Sequence, residues 1–338
     1  MTEQHEPDGQ AGTGTVPPTS RQNRAVRRAL DLWGTWGIAL VLILLIVLMA
    51  LIAPNFVSLS NAFNIMRATS ITAILAAGVT VVILTAGIDL SVGSVLAVSG
   101  VTSILLWNAG VPIVLCVLIP ILLGALIGLI QGTLVAYLSL AAFIVTLAGL
   151  TAWRGTAYAL TGGRPLIAEG ELGFDMLGGG NFIAIPVPIW LMLATYAVLW
   201  FLLERTTWGR HVYAVGGNPE AALMAGIKVR RVLTSVYVIS GLTAGLAGVM
   251  FSARVESGQP NAGQGYELEA IAAVVLGGTS LAGGRGRIFG TLVGALIMGV
   301  LSNGMILLNT PFFTQLIVQG CVIVLAVAID SLKNRYTT

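Results

Sequence analysis

Apolar runs of about 20 residues, separated by short polar stretches, recur along this chain, and each is long enough to cross a bilayer as a helix. Trp33–Ala53 is the first, nearly uninterrupted. At 1.5 Å per residue it reaches about 30 Å, the thickness of a hydrocarbon core. A chain in hydrocarbon must satisfy its own backbone, so repeated runs of this kind predict an all-α, polytopic transmembrane bundle. Further spans are read at Ala68–Ala86, Leu90–Trp107, Pro112–Leu138, Ala141–Leu160, Pro188–Leu203, Val232–Ala253, Leu268–Ala282, Ile288–Leu308 and Phe312–Ile329, about ten in all. Leu268–Ala282 is short and interrupted by glycine, as a half-helix or a tilted one would be. Only 9% of the 338 residues are charged, too few to cover a soluble fold of this size. The 42 glycines suit helices whose backbones approach closely.

Residues 1–30 are polar at first, with Pro17 and Pro18, and are expected to form a disordered cytoplasmic tail; the transmembrane remainder is 31–335. Leu51 stands where a signal peptide would want a small residue before a cut after Ala53, so the first run is expected to remain as a span. Ten spans with the tail inside put Arg21, Arg24, Arg27, Arg28, Arg205, Arg210, Lys228, Arg230, Arg231, Arg285, Arg287, Lys333 and Arg335, 13 of the 17 basic residues, on the inner side. Both termini are therefore expected on the cytoplasmic side of the membrane that holds the chain.

Soluble-enzyme chemistry is nearly absent. His5 and His211 are the only histidines, Cys116 and Cys321 the only cysteines, and neither pair has ligand or nucleophile spacing. Lys228 and Lys333 follow no glycine-rich phosphate loop, so no ATP site of that type is expected on this chain, and no metal or other cofactor either. A net charge of +3 gives no footprint for nucleic acid. A transporter of this composition needs an ion gradient or a separate ATP-hydrolysing subunit. A gradient-driven carrier or channel for a small polar solute is thus the alternative to an ATP-driven permease, and a membrane enzyme ranks third.

The polar loop 204–231 is the most informative stretch. Asn218 is a fitting N-cap, Pro219 a first helical residue and Glu220 a favourable charge at the dipole; Ala221, Ala222, Leu223 and Met224 continue, and Gly226 terminates. About two turns of helix are predicted, too short to hold alone in water. It either packs on its own membrane domain or docks into a cytosolic partner.

Three long motifs now carry a resemblance. LTAGIDLSVGSVLAVSG (Leu84–Gly100), AVGGNPEAALMAGI (Ala214–Ile227) and YELEAIAAVVLGGTSLAGGRGRIFGTLVGALIMGVLSNGM (Tyr266–Met305), in this order, resemble the membrane permease subunits of ribose-type ABC sugar importers. The resemblance runs from about Asn61 to the C-terminus and implies a type II ABC importer-like fold. It also implies a second permease copy, a pair of ATP-binding cassette subunits that hold ATP and Mg, and an extracytoplasmic sugar-binding protein that delivers a monosaccharide. On it, Asn218–Gly226 corresponds to the coupling segment.

Within the spans, Asp89 reads either as an N-cap for a helix beginning at Leu90 or as a pathway residue, with Ser91 beside it. Glu267 and Glu269 have the same ambiguity at the eighth span. Arg154 lies deep in GLTAWRGTAYAL and requires water, a carboxylate or carbonyl groups, unless it snorkels outward. Trp107, Trp153, Tyr158 and Trp190 read as interface anchors. Asp89 followed by LGALIG and Glu269 followed by VGALIMG read either as a loose internal repeat or as the Gly, Ala, Leu and Ile common to any membrane helix.

Overall fold

The computed structural model describes residues 21–337, so the tail expectation lies outside the described residues as far as residue 20. Twelve α-helices follow: α1 Arg21–Ile52, α2 Leu59–Leu84, α3 Val92–Asn108, α4 Ile113–Tyr137, α5 Ala142–Thr161, α6 Val187–Arg205, α7 Thr207–Gly217, α8 Pro219–Met224, α9 Val229–Val255, α10 Tyr266–Leu276, α11 Ile288–Leu307 and α12 Phe312–Thr337. Helix α1 takes in the last residues that the sequence assigned to the tail. Long leucine, isoleucine and valine side chains on α4, among them Val114, Leu118, Leu122 and Leu126, are exposed, which only a lipid solvent tolerates at this density. Among the described residues, five helices, α2, α4, α6, α9 and α11, are long and apolar enough to cross a membrane by length and composition, with shorter apolar helices at Gly37–Ile52, Val92–Asn108 and Phe312–Leu325. The molecule is a multi-pass membrane protein.

The centre is α9, against which α2, α3 and α4 all pack. Its contact with α4 is made by small residues one turn apart. Gly124, Gly128 and Gly132 on α4 face Gly241, Gly245, Tyr237 and Thr234, and a methyl group at Gly128 would overlap the Tyr237 carbonyl. Helix α2 is buried without a break from Thr69 to Leu84.

Two corrections to the sequence reading concern backbone. The all-α expectation misses two short antiparallel ladders: Leu166–Ile167 (β1) with Ser257–Gly258 (β4), and Asn181–Phe182 (β2) with Ile185–Pro186 (β3). They are two residues per strand, too short for hydrophobic periodicity to register. The polar loop holds α7 as well as α8, because Thr206 caps a helix start that its Gly-rich sequence hides: its hydroxyl accepts from the Gly209 N–H at 3.3 Å.

Helix α10 has 11 residues, about 16 Å, half of a bilayer crossing. Its start and that of α3 lie at mid-depth. Asp89 bonds to Ser240, near the middle of the 27-residue α9, and Leu96 and Gly100 meet Gly248 further along, so α3 runs alongside α9 in the same sense. Gly263 and Glu267 abut Gly93 at the start of α3, whereas the far end of α10, Gly277, meets Gly290 at the start of α11. The two helices thus start together and run apart in opposite directions, each entered through irregular backbone, residues 85–91 and 256–265. Such backbone persists at membrane depth only where protein buries it or water lines it.

Candidate functional site

Three assemblies gather the residues singled out in the sequence. The first is Asp89, which is 2% exposed. Helix α3 begins at Val92, not Leu90, with Ser91 as its N-cap residue, so Asp89 lies outside the cap position that the sequence suggested. Its Oδ1 accepts from the Ser91 N–H at 3.0 Å and the Ser91 hydroxyl at 2.7 Å; its Oδ2 accepts from the Ser240 hydroxyl on α9 at 2.7 Å. Burying a carboxylate costs several kcal/mol, and three hydrogen bonds to a charged acceptor, at about 1.5–3 kcal/mol each, are of the size that offsets it.

The Ser91 hydroxyl also lies 3.0 Å from Gln131 Oε1 on α4. One hydroxyl proton cannot serve both acceptors. Exchanging the two ends of the Gln131 amide lets Nε2, otherwise buried without a partner, donate to Ser91, whose proton then belongs to Asp89. Asp89 and Ser91 therefore tie the broken segment to α9 and α4. Ser240 and Gln131 were not foreseen: a serine among glycines and a lone amide in a 25-residue apolar helix were the only signals. The Tyr237 hydroxyl, buried and unpartnered among the described residues, comes so near Gly87 that a methyl group there would stand 2.8 Å from it.

The second assembly is a latch. The Arg154 guanidinium on α5 donates to the carbonyls of Pro260, at 2.8 Å, and Ala262, both on the irregular segment before α10. It thus spans α5 and residues 256–265 without a bonded carboxylate among the described residues. Glu267 lies within electrostatic reach, its Oε1 accepting from the Gly265 N–H at 3.2 Å, while its Oε2 is buried and unpartnered among the described residues. Glu269 sits half-buried in the first turn of α10 and is not brought to Asp89.

The third is the α7–α8 loop. Asn218 Oδ1 accepts from the Ala221 N–H at 3.0 Å, Pro219 opens the helix, and Glu220 is in its first turn. At the other end the Ile227 N–H donates to the Ala222 carbonyl and the Gly226 N–H to the Leu223 carbonyl, both at 3.0 Å, with Gly226 at φ +81°. That is a Schellman ending, open to glycine because its φ is positive. Of the apolar residues of α8, Ala222 is 4% exposed and packs inward, so it contributes nothing to an outer surface. Leu223 and Met224, 64% and 90% exposed, form the outward apolar tip. Beside it a cavity of about 650 Å³ is lined by Tyr137, Leu140, Glu220, Leu223, Lys228 and Arg231, with Arg230 stacked 5.6 Å over the Tyr137 ring.

The loop is fastened to the membrane part. The Trp208 indole N–H donates to Ser235 at 2.8 Å, and the Tyr213 hydroxyl to the Gly286 carbonyl at 3.1 Å. The Gly284 N–H donates to the Leu84 carbonyl at 2.9 Å, just before the break that leads to Asp89. Burial pushes the Tyr213 phenol up to about 12, keeping it a neutral donor at any physiological pH. At the opposite end of the bundle, Trp107 donates to the Glu169 carbonyl at 2.9 Å and Trp190 to that of Phe182 at 3.2 Å, so both indoles brace loops.

Residues 61–327 match the family described as the branched-chain amino acid transport system permease component. The ribose import permease protein RbsC of Bacillus subtilis is 49% identical over 285 residues, 84% of this chain and 88% of that protein. RbsC of Escherichia coli K12 is 45% identical over 84% of this chain and 89% of its own, and the L-arabinose transport system permease protein AraH of the same organism 38% over 90% and 92%. No solved structure gave a significant match. With most of its length, including the Asp89, Arg154 and α8 assemblies, inside the matched region, this chain belongs to the permease-component family of such transport systems.

Proposed function

We propose that this chain is the membrane permease of an ATP-driven ABC importer for a monosaccharide, with pentoses the first to try. The relatives named for ribose and arabinose support the substrate class more strongly than the family's amino-acid description, because they match over most of both chains. Two copies would form the pathway, and the sugar would arrive from an extracytoplasmic binding protein. ATP and Mg belong to a pair of cassette subunits on the cytoplasmic side, where the α7–α8 loop and both termini would lie.

The observation that carries the reading is α8: a capped, Schellman-terminated helix that presents Leu223 and Met224 to the outside while Tyr213 and Trp208 anchor its base. Such a helix moves as a rigid piece. ATP binding can shift the spans only through contacts that differ between two states, and a stiff, anchored plug transmits that difference. Asp89 then serves as a fixed node between α3, α4 and α9, and not as a group that meets substrate.

Copurification from membranes with the cassette subunit, followed by ATP-dependent uptake by the complete complex in proteoliposomes, tests this. Pentose uptake that needs the cassette subunit supports it. Uptake by the chain alone, driven by an ion gradient, would overturn it in favour of a secondary carrier.

A further inference from the structure

The stretch Ser257–Gly265 carries no long apolar side chain, yet it descends to mid-depth. It starts in the β1–β4 ladder at the end of α9 and reaches Gly263, which abuts Gly93. On α5, Gly149 packs against Ser91 and Gln131 at the level of the Asp89 node, and Arg154 lies five residues beyond it, about 7.5 Å, where it grips Pro260 and Ala262. Asn261 and Gln264 alternate with these held residues. Pro260, Ala262 and Gly263 are buried, while Asn261, Gln264 and Gly265 are exposed. Neither amide makes a side-chain hydrogen bond among the described residues.

Lipid cannot be what those amides face. Irregular backbone and unpartnered amides at this depth would each cost several kcal/mol in hydrocarbon, whereas a water-filled passage or protein satisfies them. An amide carries two donors and an acceptor and no charge, which matches neutral hydroxyl-rich solutes better than ions or amino acids. We propose that Ser257–Gly265 is the solute-contacting wall of the passage, with Asn261 and Gln264 meeting the sugar hydroxyls and Arg154 acting as the positioning residue that holds the stretch in place. This rests on the sugar-permease reading and assigns its contacts. The open side of the wall would be closed by the same stretch of a second copy.

The test uses the full importer in proteoliposomes, with Cys321→Ser removing the exposed native thiol and leaving buried Cys116. Single cysteines replacing Asn261 and Gln264 should react with a charged, water-soluble thiol reagent, and pentose should slow the reaction. A cysteine replacing Leu126 on the lipid-exposed face of α4 should stay unreactive. Asn261→Leu with Gln264→Leu should lower pentose uptake about tenfold or more, as lost hydrogen bonds predict, with the cassette subunit still bound. Cysteines at 261 and 264 that react only with a lipid-soluble reagent, or unchanged uptake by the double variant, would overturn the inference. Failure of the unsubstituted complex to take up any sugar would strike the permease reading instead, and the two cysteine reactivities would still decide whether this wall is wet.

Discussion

A carboxylate at the heart of a membrane bundle is tolerated only when its partners are built in, and Asp89 has three donors from two elements. Asp89→Ala leaves the Ser91 amide and the two hydroxyls without their acceptor, at about 1–3 kcal/mol for each group that finds no substitute. Thermal unfolding in detergent should show that variant clearly destabilised and Asp89→Asn much less so, since Asn keeps one acceptor and offers Ser240 a donor. Equal loss of uptake in both, with stability retained in Asn, would mean that the charge itself takes part in transport. Arg154 is different, because its partners are carbonyls. Arg154→Leu should insert normally yet lose most uptake, while Arg154→Lys, with a compact point charge in place of the fork, should recover part of it. Full uptake by the Leu variant would reduce Arg154 to a snorkelling cation.

Among the elements, α8 is the one whose behaviour its own residues dictate. Asn218, Pro219 and Gly226 fix its two ends, and the structure reproduces those ends bond for bond. Its faces were not legible in the same way. Four apolar residues in a row have no solvent side until the helix is seated, and seating turns Ala222 inward and Leu223 and Met224 outward. Cysteines at Leu223 and Met224 should therefore cross-link to the cassette subunit and one at Ala222 should not. Met224→Asp should weaken association with normal insertion, whereas Ala222→Asp should destabilise the permease itself by burying a charge. Cross-linking from Ala222 alone would mean that the helix rotates on docking. Helices α3 and α10 are the opposite case: the short length of α10 was suggested by the glycine-broken sequence, but the shared origin of the two at mid-depth was not.

At the scale of the whole molecule, the relative placement of loops is internal geometry, while the side of the membrane each occupies is a matter of charge. On the proposed orientation, which puts the α7–α8 loop and its Arg205, Arg210, Lys228, Arg230 and Arg231 inside, the opposite cap around Glu169 and Asp175 would face outside. A cysteine at Gly170 should accordingly be labelled by an impermeant reagent in intact cells, and one at Gly217 only after permeabilisation. The reverse pattern would invert the orientation and with it the coupling reading.

Sequence alone determined the solvent of this protein and the position of most helices, because runs of about 20 apolar residues have few other ways to hide their backbone. It also determined the ends of α8, since capping is a local exchange between side chains and the nearest free amides and carbonyls. Only the tertiary structure decided which helix faces meet. It paired Asp89 with Ser240, 151 residues away, and Arg154 with carbonyls more than 100 residues downstream. Apolar membrane helices look alike on every face, so hydrophobicity cannot choose among them. The choice fell to small-residue packing and a few buried hydrogen bonds, and both are satisfied only once distant segments have come together.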